Sequence, residues 1–580
     1  MTPRVPVLIV GGGPVGLALA GELGWRGVPC LLVEKTDGAI EHPRMDLIGV
    51  RTMEFCRRWG IADWVRDAPY PPDYPQDCIY LTGLNGYELG RERFPGRGLE
   101  PCPPQSPQKR ERVPQDMFDP ILQRFARSFP HVGLRYNAEL VSFQEMSDGV
   151  RAEVRDTVTG ETETIEADYL VGTDGGTSLV RERIGIGMSG NPALTYTTNV
   201  IFRCRNFSEL HDKGKGYRFI FIGPEGVWLT IVAINGCDRF RMSIVGSPQQ
   251  ITHSEADIRA ALARAMYGQS GRDFDYDILS VLRWVRRELV ADRYGTDRVF
   301  IAGDAAHLMS PTGGFGMNTG IGDAVDLGWK LEAVIKGFGG EGLLRSYEIE
   351  RRPVALRNVA QASGNLGRML STRRRLPGPK VFAPGPAGDA ARKEYGDWFT
   401  ETMRWEWFSN GIMLGYRYDD SPIVWPDGTP APPDDSRHYV QTARPGARAP
   451  HVYLADGRST LDLFGRGFTL LRLGPDAPPG DGIMRAAAAR RLPLTCVALD
   501  EPPVLAAYGR RLVLVRPDGH VAWRADAEPA DAGALIDTVR GQSLHRHSGR
   551  ARKRAIRNPD ARSARASGFR VRAPKVRAPE

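Results

Sequence analysis

Residues 298–318 contain the feature that most constrains how this chain can fold. The apolar run at 299–301 is typical of a buried strand, and the carboxylate of Asp304 follows soon after the strand ends. A turn rich in proline and glycine comes next, and a helix is predicted to begin near Met317 or Asn318. Ligands of open α/β sheets lie beyond the carboxyl ends of the strands, so we expect Asp304 to hydrogen-bond a ligand hydroxyl. The helix would present free N–H groups and a partial positive charge to that ligand.

The amino terminus predicts a nucleotide-binding βαβ unit. An apolar strand at 7–10 leads into a G-x-G-x-x-G turn formed by Gly11, Gly13 and Gly16. Glycines at this spacing permit a tight turn, close approach to a pyrophosphate and close helix packing. A second strand ends at Glu34, and an acid at that position takes the ribose hydroxyls in such units. The pattern on its own does not separate FAD from NAD.

A third strand, at 167–172, delivers Asp174 into a glycine turn that begins with Gly175. Another glycine-rich match, at 185–190, is followed by an Asn-Pro pair, which discourages a helix. We therefore expect residues 185–190 to form a loop between domains and not a second Rossmann unit. A nicotinamide cofactor would then have to bind without such a unit.

With these three elements in order, the chain resembles the group A FAD-dependent aromatic hydroxylases, which share the fold of p-hydroxybenzoate hydroxylase. The resemblance covers about residues 1–365. It extends to the phenol and chlorophenol ortho-hydroxylases and the polyketide hydroxylases through segments at 51–54, 415–418, 445–451 and 459–465. The resemblance implies FAD-binding residues at positions that match the family motifs. These are Gly11, Gly13, Pro14, Gly16, Glu34, Lys35, Arg44, Gln115, Asp174, Gly175, Gly303, Asp304, Pro311, Gly314, Gly316, Met317 and Asn318.

Several of these positions have a specific place in the family. Arg44 matches an arginine near the pyrophosphate, and Gln115 matches a glutamine that contacts the flavin. Asp174 matches an aspartate that touches both FAD and NAD(P)H, and Asp304 matches the acid on the flavin ribityl chain. Residues 311–318 match the turn and helix start beside the isoalloxazine ring.

The predicted fold class is α/β, or α+β over the whole chain. We expect a Rossmann-like FAD domain, an inserted antiparallel sheet that forms the substrate domain, and a C-terminal thioredoxin-like domain. The last of these has no C-x-x-C, so a redox role is not expected for it. The predicted boundaries are 1–75, 108–185 and 290–370 for the FAD domain, 76–107 and 186–289 for the substrate domain, 371–440 for a linker with connecting helices, 441–540 for the thioredoxin-like domain and 541–580 for a basic disordered tail.

The resemblance implies an FAD-dependent NAD(P)H aromatic monooxygenase, with NADPH as the expected reductant and O₂ as co-substrate. Such an enzyme hydroxylates a small phenolic substrate, here beside its hydroxyl, through a flavin C4a-hydroperoxide. Asp46 matches the segment that carries a catalytic aspartate in phenol hydroxylases, and a base there would help the ring to attack as a phenolate. Asp46 could equally be a loop acid that caps a helix starting near Val50.

Two alternatives to phenol hydroxylation remain open from the sequence. One is a monooxygenase that acts on a polyketide, an antibiotic or a heteroaromatic compound. The other is a protein that binds FAD and a ligand without turning over. Pocket specificity would be set by the weakly patterned sheet at 190–290, so the sequence does not name the substrate.

The bulk properties limit the other classes of function. No apolar stretch is long enough to span a membrane, and the chain enters its first strand too early to leave room for a signal peptide. The seven cysteines form no metal-ligand spacing or even framework, so we expect reduced thiols, no metal and a cytoplasmic location. We also expect a homodimer or higher oligomer.

The net charge of +8 comes from the tail. Residues 541–580 contain 12 Lys or Arg and 2 Asp or Glu, a net charge of +10, which leaves −2 for the rest of the chain. The body therefore predicts no nucleic-acid partner. A basic tail can bind nucleic acid or an anionic membrane, or it can be a solvated disordered extension.

Overall fold

The computed structural model describes residues 4–267 and 274–542, and the apolar or alternating segments of the sequence form its strands. In chain order these are β1 (Arg4–Val10), β2 (Cys30–Val33), β3 (Leu47–Ile48), β4 (Cys78–Leu81), β5 (Glu88–Glu92), β6 (Glu111–Arg112), β7 (Val132–Arg135), β8 (Ala138–Glu145), β9 (Val150–Asp156), β10 (Thr162–Gly172), β11 (Met188–Arg203), β12 (Arg218–Gly223), β13 (Gly226–Ala233), β14 (Arg239–Ser247), β15 (Asp277–Ala291), β16 (Val299–Ile301), β17 (His307–Leu308), β18 (Phe468–Leu473), β19 (Leu494–Leu499), β20 (Leu512–Val515) and β21 (Val521–Ala525).

The α-helices cover the strands and connect them. They are α1 (Pro14–Trp25), α2 (Val50–Arg58), α3 (Ala62–Arg66), α4 (Gln115–Arg127), α5 (Leu179–Arg183), α6 (Glu255–Tyr267), α7 (Gly316–Ile335), α8 (Ser346–Met369), α9 (Pro386–Trp407), α10 (Asn410–Leu414), α11 (Asp481–Ala489), α12 (Pro502–Tyr508) and α13 (Ala532–Val539). Short 3₁₀ turns lie at Arg97–Leu99, Phe207–Glu209, Gly303–Ala305, Leu370–Arg373, Pro379–Phe382 and Thr460–Leu463.

The first sheet has five parallel strands in the order β7-β2-β1-β10-β16. The first half of β10 also pairs antiparallel with β9, which pairs with β8. Strand β1 is apolar at every position from Val7 to Ile9, and these side chains are fully buried. Helices α1, α4 and α7 contribute to the same core, which explains why the parallel strands lack a polar face.

The parallel strands end at one level. Val10 is the register partner of both Val33 and Gly172, and Gly172 is in turn the partner of Ile301. The loops that follow these strands therefore emerge side by side. We call this side the carboxyl edge; it carries the glycine turn after β1, Glu34 after β2, Asp174 after β10 and Asp304 after β16. The strand order reverses at β1, which is where such sheets bind ligands.

The second sheet has the order β17-β15-β11-β14-β13-β12-β4-β5, and all neighbours in it are antiparallel except β12 and β4. One face packs with α6 around an aromatic core that includes Phe202, Phe219 and Phe240. The opposite face, here called the inward face, packs through residues such as Ile220 and Val232 against α8 and α9.

Register places three arginines on the inward face. Arg218 lies opposite Val232, and Val232 lies opposite Arg241. Arg286 lies on the same face, because it is opposite Thr195 and its Nε donates to the Thr197 hydroxyl across β11.

The third sheet, β19-β18-β20-β21, has β18 and β19 parallel and the other pairs antiparallel, and it packs with α11 and α13. Buried ion pairs join this part of the chain to the first. Arg448 Nε donates to Glu54 at 2.9 Å, and Arg516 Nη2 donates to Glu350, also at 2.9 Å. The fold class is thus the predicted mixed α/β one, with a Rossmann-like unit, an inserted antiparallel sheet and a thioredoxin-like sheet. The exact domain boundaries remain a prediction.

The loop predicted at 185–190 is only partly a loop. Its last residues, Met188 to Gly190, open strand β11 and pair with β15. The Asn-Pro pair does not end the strand, because the register shifts between Asn191 and Thr195, so that Pro192 lies at an irregularity.

Within the described residues, no helix is both long and apolar enough to cross a membrane. In the same part of the chain, no group of three His, Cys, Asp or Glu side chains is arranged to hold a metal ion. Nearly all of the basic tail predicted at 541–580 lies outside the described residues.

Candidate functional site

The glycine turn after β1 combines one position that is too crowded for a side chain with one that is open. A Cβ at Gly16 would lie 2.0 Å from the Gly11 carbonyl oxygen, and Gly11 itself has a φ of +109°. A Cβ at Gly13 would meet nothing within 4 Å. Gly16 is thus required by the close packing of α1 on the turn, whereas Gly13 and the neighbouring Pro14 face open space at the carboxyl edge.

Two helix starts aim unused donors at this edge. Across the described residues, the backbone N–H groups of Val15 and Gly16 at the start of α1 donate to no protein acceptor. The same holds for Gly316, Met317 and Asn318 at the start of α7. Free N–H groups and the helix dipole together favour an anionic ligand.

Asp304 provides a free acceptor between these helix starts. Its side chain is open to solvent, and no hydrogen bond or ion pair occupies its carboxylate within the described part of the chain. Desolvation by the surrounding protein raises the pKa of Asp304, and the charges of His307 and Arg44 offset part of that rise. Gly303 before it has a φ of +62°, and a Cβ there would lie 2.9 Å from Val15.

Asp323 fixes the turn that carries Asp304. This fully buried aspartate of α7 accepts from the Gly303 N–H at 3.2 Å and lies 2.8 Å from His307 Nε2. It also accepts from Arg351 Nε at 2.8 Å. Burial acts to raise the pKa of Asp323, but Arg351 and His307 outweigh it and hold the pKa below its usual range. The sequence did not indicate this role, because Asp323 lies inside an apolar helix.

Glu34 is turned toward the glycine turn. Its Oε2 accepts from the Gly12 N–H at 2.7 Å, and its Oε1 accepts from the N–H and hydroxyl of Thr36. The next residue, Lys35, is exposed, and its carbonyl accepts from the Thr157 hydroxyl. Both predicted residues therefore lie at the carboxyl edge.

Asp174 orders the loop after β10. Its carboxylate accepts from the Ser178 hydroxyl at 2.5 Å and from the Val180 N–H at 3.1 Å, so it holds the start of α5. Gly175 has a φ of +82°, and a Cβ there would meet nothing within 4 Å. The contact of Asp174 with cofactors stays a prediction.

Arg44 and Gln115, which are both predicted to lie near a flavin, lie together. The Arg44 N–H donates to Gln115 Oε1 at 3.1 Å, and the Arg44 guanidinium lies 5.8 Å from the ring centre of Trp284. Gln115 Nε2 donates to Asp119 at 3.1 Å. Burial raises the pKa of Asp119 to about 7, and the nearby charge of Asp116 adds to the rise. Asp119 therefore orients Gln115 from behind, a role that the sequence did not indicate.

The segment at 311–318 is locked to the loop before α2. Asn318 Nδ2 donates to the Leu47 carbonyl at 3.0 Å, and its Oδ1 accepts from the Gly49 N–H at 2.7 Å. Gly314 has a φ of +67°, and its N–H donates to the Pro311 carbonyl. The side chain of Asn318 is thus structural, and its backbone N–H is what remains for a ligand.

Asp46 is bound into the inward face. Its Oδ1 accepts from Arg112 Nη1 at 3.1 Å, and its Oδ2 accepts from the Tyr217 hydroxyl at 2.9 Å. Arg241 Nη2 lies 3.6 Å from Oδ2. Burial acts to raise the pKa of Asp46. The charges of Arg112 and Arg241 and the hydrogen bond from Tyr217 outweigh this effect and hold the pKa below its usual range. Asp46 does not cap α2, whose N-cap is Gly49 without a side-chain bond.

Four arginines gather around Asp46 and α9, and we call them the arginine cluster. Its members are Arg112, Arg218, Arg241 and Arg286. Arg218 Nη1 donates to Glu406 at 2.8 Å, and the same Glu406 oxygen accepts from the Gly313 N–H at 3.3 Å. Arg241 Nη1 donates to the Pro43 carbonyl at 3.3 Å. The cluster thus adjoins the two loops that carry Arg44 and Pro311, and the sequence analysis identified none of its members.

These residues fit FAD. The carboxyl edge offers unused N–H donors at two helix starts, an unoccupied carboxylate at Asp304 and a side-chain-free approach at Gly13. A pyrophosphate, a polyol chain and a ring that can bear negative charge are the ligand groups that such donors and acceptors bind.

Comparison with known proteins agrees with this geometry. The FAD binding domain family matches residues 4–362, and the aromatic-ring hydroxylase C-terminal family matches residues 442–543. The chain is 34% identical to FAD-dependent monooxygenase apdD of Emericella nidulans, over 90% of this chain and 87% of that one. It is 34% identical to a putative polyketide hydroxylase of Streptomyces halstedii, over 93% and 96%.

A solved structure described as chromopyrrolic acid-soaked RebC with bound 7-carboxy-K252c is also similar. It superposes with a TM-score of 0.86 at 39% identity, covering 94% of this chain and all of that one. The predicted family resemblance is therefore confirmed. The chain belongs to the group A FAD-dependent aromatic hydroxylases and is an FAD-dependent monooxygenase.

Proposed function

We propose that the protein hydroxylates a phenolic aromatic substrate at the carbon beside its hydroxyl, using NADPH and O₂. The observation that carries the proposal is the juxtaposition of the carboxyl edge with Asp46. The loop at 43–46 connects the two. The Arg44 N–H donates to Gln115, which is predicted to contact the flavin, and the Asp46 carboxylate accepts from Arg112 and Tyr217. An oligomeric assembly remains part of the proposal.

The predicted cofactor residues would hold FAD along the carboxyl edge, with the ribityl chain at Asp304 and the ring near the start of α7. When bound, FAD supplies reduction by NAD(P)H and activation of O₂. The protein's part is to position the substrate, exclude water and stabilise charge. The free N–H groups and the dipole at the N-terminus of α7 would stabilise negative charge on the flavin ring. These groups are already fixed in position before the ring becomes charged.

Asp46 would accept the phenol proton as the ring attacks oxygen. Arg112 and Arg241 keep its carboxylate ionised at neutral pH, so it is available as an acceptor. A lowered pKa also makes it a weaker base, because the best base has a pKa near the working pH. We therefore expect its contribution at the lower end of the usual range of about 10²–10⁴-fold.

A polycyclic substrate is the second candidate. The similarity to a putative polyketide hydroxylase over almost the whole chain favours a polyketide, and the RebC structure contains 7-carboxy-K252c. An antibiotic or heteroaromatic substrate would use the same residues. A protein that binds FAD and ligand without turnover is the remaining alternative.

Ligand-stimulated NADPH oxidation tests the proposal. The FAD-loaded protein is mixed with single-ring phenols and with polycyclic phenols, and NADPH loss and product mass are measured for each. We expect at least one phenol to accelerate NADPH oxidation and to gain an oxygen atom. Binding of phenols that neither accelerates oxidation nor yields product would favour the alternative without turnover.

A further inference from the structure

Arg286 is the member of the arginine cluster for which the described residues provide no acidic partner. It is 5% exposed, its Nε donates to the Thr197 hydroxyl at 3.2 Å, and its Nη1 reaches the Ser310 hydroxyl only at 3.5 Å. Across residues 4–267 and 274–542, no carboxylate forms an ion pair with it, and its Nη2 donates no hydrogen bond. A buried guanidinium is normally paired, because an isolated charge is costly to remove from water.

The other members of the cluster are paired. Arg112 and Arg241 share Asp46, and Arg218 binds Glu406. Four arginines therefore face two carboxylates, which leaves an excess of two positive charges. Arg112 and Arg241 divide one carboxylate between them, and Arg286 has none within the described residues. Burial lowers the pKa of Arg286 to about 10, and the charges of Arg218 and Arg241 lower it while Glu406 opposes them. Arg286 thus remains a cation at neutral pH.

The position of Arg286 places this charge beside the proposed reaction site. It is on the inward face, and it bridges β11 to Ser310, the residue before the turn at 311–314. Trp284, two residues earlier on the same face of β15, packs over Arg44. The unpaired cation therefore lies between the substrate-facing sheet and the turn expected beside the flavin ring.

Resting on the proposed function, we propose that Arg286 anchors a carboxylate on the substrate, which is therefore an aromatic acid and not a neutral phenol. A carboxylate can accept two parallel hydrogen bonds from one guanidinium, and it would supply one of the two negative charges that the cluster lacks. A neutral phenol would leave the cation buried and unpaired. Asp46 lies elsewhere in the cluster, so the acid and the phenol hydroxyl would occupy different ends of the ligand.

Direct binding of a matched pair of probes tests the proposal. The probes are 6-hydroxy-2-naphthoic acid and its methyl ester, which share the ring and the phenol and differ in charge. Each is titrated into the FAD-loaded protein near neutral pH, and the change in flavin absorbance gives the Kd. We expect the acid to bind at least about tenfold more tightly than the ester.

Three variants assign this preference to Arg286. Arg286→Gln removes the charge, and we expect it to abolish the preference for the acid while changing the affinity for the ester less than about twofold. Arg286→Lys keeps the charge but lacks the paired N–H donors of the guanidinium, so it should retain part of the preference for the acid. Arg283→Gln, at an exposed position on the other face of β15, is the matched control and should bind as the unmodified protein does.

Thermal unfolding gives a second readout that does not need turnover. The acid should raise the Tm of the unmodified protein and of Arg283→Gln, but not that of Arg286→Gln. Equal affinities for acid and ester in the unmodified protein would overturn the proposal. So would a preference that survives in Arg286→Gln, which would assign the acid to another arginine.

The two proposals fail in different ways. If acids bind through Arg286 but no tested compound is oxygenated, the hydroxylase proposal fails and the carboxylate site stands. If neutral phenols are oxygenated and acids bind no better, the carboxylate site is wrong and the hydroxylase proposal stands. Binding of the phenolate form would show itself as tighter ester binding when the pH is raised toward the pKa of the phenol, and would also contradict the proposal.

Discussion

The carboxyl edge and the inward face prepare for their ligands in opposite ways. At the carboxyl edge the groups available to a ligand are mostly backbone N–H donors at helix starts. The Asp304 carboxylate, which has no hydrogen-bond or ion-pair partner within the described residues, adds an acceptor. On the inward face the available groups are long cationic side chains, of which all but Arg286 already have acidic partners. The edge is therefore suited to one constant cofactor, whereas the face can change its ligand by a few side-chain substitutions. This difference separates the cofactor site, which a family of enzymes can share, from the substrate site, which can differ between its members.

The largest expected effect of a single change is at Asp46, the acid of the inward face. Asp46→Asn keeps the shape and removes the charge, so it should lower the hydroxylation rate by about 10²-fold and divert NADPH to H₂O₂. FAD content should stay close to that of the unmodified protein, whereas the Tm should fall, because Arg112 and Arg241 lose the carboxylate that they share. The measurement is product formed per NADPH consumed, with a substrate confirmed by mass spectrometry.

Asp116→Asn is the matched control for Asp46. Asp116 pairs with Arg239 and, within the described residues, with no member of the arginine cluster, so Asp116→Asn should leave the coupling unchanged. Because the pKa of Asp46 lies below its usual range, its protonation should not limit the rate anywhere above about pH 4. Full rate and coupling in Asp46→Asn would remove the base role and leave Asp46 as a partner of arginines.

The next effect in size is expected at Asp304, on the carboxyl edge. Asp304→Ala removes an acceptor for a flavin hydroxyl and should cost about 1–3 kcal/mol, a loss of about 5- to 150-fold in FAD affinity. Asp297→Ala, at an exposed acid before the same strand, should bind FAD normally. Equal FAD retention by both variants, measured by equilibrium dialysis, would contradict the assignment of this edge.

A smaller effect, on stability, is expected at Asp119, which lies behind the edge. Its pKa in the folded protein is raised to about 7, so its contribution to stability is fully present below about pH 4 and is lost as the pH rises through 7. Asp119→Asn removes this loss and can still accept from Gln115. Its Tm should exceed that of the unmodified protein by a few degrees at pH 8 and by little at pH 4. A difference in Tm between the two proteins that is the same at pH 4 and pH 8 would show that the pKa of Asp119 is not raised.

The smallest effect is expected from removing the basic tail. Residues 540 and 541 bind the loop after α7, because the Arg540 carbonyl accepts from the Gly340 N–H and the Gly541 carbonyl accepts from the Gly342 N–H. The truncation should therefore begin after Gln542. A protein that ends at Gln542 should keep its FAD and its turnover, with a lower isoelectric point. Loss of turnover in that protein would give the tail a part in the chemistry.

The carboxyl edge could be predicted from sequence because its signals are local. A strand, a glycine turn and an acid stand within a few residues of each other at Gly11, Asp174 and Asp304, and each pattern implies a backbone geometry. The sequence therefore placed these residues at one edge, and their contacts with FAD stay a prediction, whereas the roles of Asp323 and Asp119 were missed. Both are acids inside helices, where sequence does not tell a buried carboxylate from an exposed one.

The inward face could not be predicted, because it depends on pairing between distant strands. Arg218 and Arg241 stand next to apolar residues, and Arg286 is followed by Arg287 and Glu288. Both patterns are equally typical of arginines that point to solvent. Only the register of β11 to β15 brings them to one face, and only α9 supplies Glu406. The strand that begins at Met188 was missed for a related reason, since its Asn-Pro pair is tolerated at an irregularity.

Oxygen labelling decides whether the protein hydroxylates a phenolic acid. The FAD-loaded protein is supplied with NADPH, ¹⁸O₂ and a polycyclic phenolic acid, and the product is analysed by mass spectrometry. We predict a product that carries one ¹⁸O atom beside the phenol hydroxyl, with NADPH oxidation that depends on the acid. NADPH oxidation that yields only H₂O₂ with every aromatic compound tested, or product oxygen that comes from water, would contradict the account.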